Sequence, residues 1–64
     1  MIEIPDVQFI FEGRLVTGLV VVDVHESEYY VRLIEVDNQL HVPTGEIRIE
    51  SLMRDYPESF SPKE

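Results

Sequence analysis

Residues 15–36 read LVTGLVVVDVHESEYYVRLIEV, and the way this stretch pairs with itself decides the fold. β-branched and aromatic residues dominate it and no helical period runs through it, which predicts two strands, Leu15 to Val24 and Tyr29 to Val36. The polar His25-Glu26-Ser27-Glu28 between them reads as a four-residue loop. Such a loop sets Val24 opposite Tyr29, Val22 opposite Val31 and Val20 opposite Leu33. The next pair, Asp37-Asn38, tolerates the φ > 0 of a tight hairpin and predicts a two-residue turn. That turn sets Val36 opposite Gln39, Glu35 opposite Leu40, Ile34 opposite His41 and Leu33 opposite Val42.

Side chains alternate with period 2 along a strand, so register assigns faces. Both hairpins give one inner face: Val20, Val22, Val24, Tyr29, Val31, Leu33, Leu40 and Val42. The opposite face should be polar, yet it carries Leu19, Val21, Tyr30 and Ile34, with Asp23, Arg32 and His41 among them. A contiguous apolar strip of this kind is rarely left open to water. Three covers are available: the C-terminal segment, a second copy of the chain, or another protein.

Working outward, Val7 to Phe11 predicts a first strand, closed by a three-residue turn at Glu12-Gly13-Arg14. Gly18 reads as a bulge that turns Phe9, Phe11, Leu15 and Thr17 inward; without it, Ile10 and Val16 would be inside. Gln39 to Val42 predicts a fourth strand, Pro43-Thr44-Gly45 a turn, and Glu46 to Glu50 a fifth strand with Ile47 and Ile49 inward. Short connections predict an antiparallel meander. Residues Glu50 to Tyr56 predict a short helical turn that Pro57 ends, and Leu52, Met53, Tyr56 and Phe60 are too apolar for a free tail. Ser61-Pro62-Lys63-Glu64 reads as frayed. The expectation is one domain over residues 1–60 and a tail over 61–64.

Five short strands with a bent second one resemble, in architecture alone, a small SH3-like barrel or half-open roll. The expected class is therefore all-β, a five-stranded antiparallel barrel or roll with a short C-terminal helical turn or tail. An OB-type barrel ranks second, because it usually needs a longer chain.

At 64 residues the chain is near the lower limit for a single unstapled core, burying only about 60% of its unfolded surface. With no cysteine, neither disulfides nor thiolate zinc sites can add to it. Thirteen Asp and Glu against five Lys and Arg give a net charge of −8, which weighs against nucleic acid and anionic membranes as partners. The arginines 14, 32, 48 and 54 are interspersed with Glu12, Glu35, Glu46 and Glu50, a salt-bridged pattern and no basic stripe. The first residues lack the basic and apolar regions of a signal peptide. The longest aliphatic run, Leu19 to Val22, is far short of the ~20 residues that span a bilayer. The expected location is the cytoplasm.

No phosphate loop, nucleophile elbow or metalloprotease helix occurs. His25 with Glu26 and Glu28 reads as a solvated turn, not a metal site, and the acidic residues single out no catalytic pair. The expectation is a protein without cofactor, metal or catalysis. It would be an interaction module whose Leu19, Val21, Tyr30, Arg32 and Ile34 contact another protein or, as a homodimer, its own copy. The alternative is an acidic binder that presents Asp23, Glu26, Glu28 and Asp37 to a basic partner.

Overall fold

Three tight turns organise the chain. The pairs Glu12-Gly13, Glu26-Ser27 and Asp37-Asn38 all have positive φ, between 51° and 81°. Two successive residues in that region make a turn whose twist matches that of the strands it joins, so each hairpin closes with two residues. The strands are β1 (Ile2–Phe11), β2 (Arg14–His25), β3 (Glu28–Val36) and β4 (Gln39–His41), followed by helix α1 (Ile49–Asp55) and a 3-10 turn, Pro57–Phe60. This computed structural model describes residues 1–43 and 45–60, and the expected fraying of 61–64 lies outside them.

The strands form one four-stranded antiparallel sheet in the order β1-β2-β3-β4. The sheet is not closed, so the expected SH3-like barrel is corrected to an open sheet, and the all-β class to a small mixed α/β domain. The missing fifth strand is the cause. Ile47 and Ile49 alternate like a strand, but Ile49, Leu52 and Tyr56 follow the three- and four-residue spacing of a helical stripe. The helix wins that overlap from Ile49 onward. Its register bonds run from the Leu52 N–H to the Arg48 carbonyl and from the Tyr56 N–H to the Leu52 carbonyl. Glu50 in the first turn and Arg54 in the last suit the helix dipole.

Two one-residue bulges set the faces, and neither is at Gly18. The first lies in β1 at Pro5-Asp6, between the pairs Ile4–Val20 and Val7–Gly18. The second lies in β3 at Arg32, between Val21–Leu33 and Val22–Val31. β2 itself alternates without interruption. Gly18 serves close approach instead: a Cβ there would collide with the Glu35 backbone oxygen and meet the Phe9 ring at 3.3 Å. Phe9 and Phe11 do point inward, because the two-residue turn pairs them with Val16 and Arg14. Leu15 and Thr17, expected beside them, are exposed.

The core is Ile4, Val7, Phe9, Phe11, Val16, Val20, Val22, Ile34, Val36 and Leu52, with Ile2, Val31, Ile47, Ile49, Tyr56 and Phe60 packed against it. Helix α1 and the 3-10 turn thus cover the inner face of the sheet. Phe60 meets Tyr29 edge-on with ring centroids 5.3 Å apart. Of the expected inner residues, Val24, Tyr29, Leu40 and Val42 are exposed and Leu33 lies on the other face. The β3 bulge is the reason for Leu33, while Val42 lies beyond the last pair of β4.

Candidate functional site

The face of the sheet turned away from α1 is built by β2 and β3. Uninterrupted alternation puts Leu19, Val21 and Asp23 on it from β2. From β3 come Tyr30, Arg32, Leu33 and Glu35, the bulge sending two neighbouring side chains to the same side. Leu40 joins them opposite Glu35. Val21 is the centre, flanked across the strands by Glu3 and Leu33. It is only 5% exposed, yet it belongs to no part of the core cluster. Leu19 and Leu33 are half-buried, Tyr30 is 44% exposed and Leu40 67% exposed.

Four of the five residues expected on this face therefore share it: Leu19, Val21, Tyr30 and Arg32. Ile34 does not. It is fully buried on the inner face, because the bulge at Arg32 shifts the strand by one residue after Val31. Leu33 takes its place, and nothing in the local sequence announces a bulge at an arginine between valine and leucine. Of the expected pairings, Val20–Leu33 fails for the same reason and Leu33–Val42 does not form, since β4 ends at His41, while Val22–Val31 and Ile34–His41 are observed. His41 also moves from the expected outer face to the inner one, where its ring meets Phe11.

Among the described residues no element packs on this outer face, since α1 and the 3-10 turn reach only the inner side. Leu52, Tyr56 and Phe60, offered as a cover for this face, thus pack on the opposite one. The charge of the outer face is acidic. Arg32 donates to Asp23 across the strands at 3.1 Å, and the Val24 N–H donates to the other oxygen of the same carboxylate at 2.9 Å. The backbone donor first, and then Arg32, hold the Asp23 carboxyl below its ordinary range. Glu3, Glu28 and Glu35 make no ion pair among the described residues.

The acidic groups of the alternative reading are dispersed and partly paired. Asp37 lies 3.8 Å from Arg14, His25 lies 3.7 Å from Glu26, and Asp23 is held by Arg32. Among the described residues no three histidine, aspartate or glutamate side chains gather as a metal ion would require. No helix among them is long and apolar enough to cross a membrane. In comparisons with known proteins, no family model, no curated protein and no solved structure matches this chain.

Proposed function

We propose that this chain is a non-catalytic protein-interaction module whose outer sheet face seats a partner with an apolar centre and a basic rim. The observation that carries the reading is the direction of the C-terminal segment. Among the described residues its Leu52, Tyr56 and Phe60 go to the inner face, and Leu19, Tyr30, Leu33 and Leu40 remain on the other one, around the buried Val21, with no element over them. Apolar area of this kind drives association in proportion to the water it sheds.

Charge selects the occupant. A second copy would set this acidic face, with Glu3, Glu28 and Glu35, against the same face of its partner, on a chain that already carries −8. Like charges across an interface oppose pairing, whereas lysine or arginine around an apolar centre complements it and speeds encounter. This joins the apolar and the acidic readings in one surface. The cytoplasm is the setting we place it in, and the cysteine-free sequence is compatible with a reducing compartment.

The test uses a labelled amphipathic Leu/Lys peptide as probe, titrated into the whole chain by fluorescence anisotropy. Binding should be saturable and persist in part at 1 M salt, where the Debye length is about 3 Å. Tyr30→Ser with Leu33→Ser should keep the fold and weaken binding at least tenfold. Equal binding by that variant, or none by the wild type, sinks the reading. A concentration-dependent dimer in sedimentation, lost in the variant, hands the face to a second copy instead.

A further inference from the structure

We infer that the free edge of β1, beside α1, accepts an extended peptide segment as a fifth strand. Among the described residues β1 pairs only with β2, so its other side is an edge. Because the turn has two residues, Phe11–Arg14 is a doubly hydrogen-bonded pair, and the bonded pairs then recur at Phe9 and Val7. The N–H and C=O groups of Gln8 and Ile10 consequently point outward from the sheet. They have no backbone partner among the described residues.

Edges of this length are normally blunted by proline, bulges or covering elements. Here only the first half is protected, by Pro5 and the bulge at Asp6, whose φ is 59°. The second half is open along a groove of about 240 Å³ between β1 and α1. Residues of both sheet faces line it, Phe9 and Leu52 from inside and Ile10 from outside, so it follows the strand edge. Its volume is below the ~300 Å³ at which small-molecule sites begin, and suits one or two peptide side chains. An edge strand beside a helix is a geometry in which peptides add to sheets, the main chain supplying affinity and the groove specificity.

Charge again decides between occupants. If a second copy paired its β1 here, antiparallel and centred on Phe9, Asp6 of each chain would face Glu12 of the other. Directly opposed like charges destabilise a strand pair. Asp6, Glu12 and Glu46, at the ends and rim of the open stretch, make no ion pair among the described residues, and they outnumber Arg48, which also lines the groove. The segment that fits has two apolar residues in its middle and lysine or arginine near both ends.

The probe is the capped hexapeptide Lys-Thr-Val-Val-Thr-Lys, followed by amide NMR on the whole chain. The Gln8 and Ile10 amides should shift and their hydrogen exchange should slow on binding. N-methylating the peptide at a central valine should weaken binding at least tenfold, as should replacing both lysines by glutamate. Ile10→Pro removes only an outward N–H, which an edge strand tolerates, and should abolish binding while the β1–β2 ladder persists. Tyr30→Ser with Leu33→Ser should leave it unchanged, which separates this edge from the outer face. Undiminished binding of the N-methyl peptide, absence of binding at millimolar peptide, or protection of Gln8 and Ile10 that rises with protein concentration alone would overturn the inference.

Discussion

The ring of Phe11, at the end of β1, lies with its centroid 4.8 Å from that of His41 in β4, tilted by 54°. These are the two outermost strands of the sheet, and in a flat sheet they would be roughly 14 Å apart at the usual strand spacing. The contact arises because the β1–β2 tip, where β2 has no β3 partner before Leu19, curls over the inner face. Arg14, at the same tip, lies 3.8 Å from Asp37 in the β3–β4 turn. Phe11→Ala should therefore cost about 3–5 kcal/mol, as buried phenylalanines do. That is comparable to the whole core contribution of a domain this small. His41→Ala should cost less than roughly 1.5 kcal/mol. Urea unfolding checks both; a Phe11→Ala loss below 1 kcal/mol would mean that the tip does not close.

Gly18 and Gly45 should respond oppositely to the same change. Gly18→Ala drives a methyl group into the Glu35 backbone oxygen and the Phe9 ring, and backbone cannot yield cheaply. A loss of about 1–3 kcal/mol is expected from this overpacking. A Cβ added at Gly45 would meet nothing within 4 Å beyond its chain neighbours, so its alanine variant should be neutral within about 0.5 kcal/mol. Thermal melts of the two variants side by side decide it, and equal melting temperatures would be incompatible with the close approach.

Leu52 and Met53 are neighbours with different fates. Leu52 is 3% exposed in the core and Met53 is 42% exposed. Leu52→Ala should destabilise by about 2–5 kcal/mol and Met53→Ala by under about 1 kcal/mol. Denaturant midpoints measure the difference. The reverse order would put the helix on the sheet by another face.

Asp23 gives the acid limb of stability a component that can be removed. Its folded carboxyl titrates below the ordinary range, through the Val24 N–H first and Arg32 after it. A depressed folded value means stabilisation that is present above the unfolded carboxylate range and lost as pH falls through the folded value. Wild type should melt higher than Asp23→Asn at neutral pH. The gap should close on acidification below the carboxylate range, as differential scanning calorimetry would record. A gap independent of pH would mean that the carboxylate charge is not involved.

Strand order and most of the pairing were legible because turn signals and β-branched runs act locally. The Asp37-Asn38 turn fixed Val36–Gln39 through Ile34–His41, each of which occurs in the fold. The Glu26-Ser27 turn was hidden, since neither residue favours positive φ, yet one extra pair at His25–Glu28 left the register of Val24 and Val22 intact. Four of the five residues expected on the outer face lie there. Ile34 and Leu33 exchanged places, because a single bulge inverts every face beyond it.

By its alternation and turn chemistry alone, this sequence determined an antiparallel meander with more apolar side chains than one sheet face can bury. Which surplus stays outside was decided in three dimensions. Ile47 and Ile49 suit a strand or the start of a helix equally well, and only the space over Val20, Val22 and Ile34, which Leu52, Tyr56 and Phe60 can fill together, selects the helix. Once that segment is spent on the inner face, the outer one and the edge of β1 are left without a cover from it.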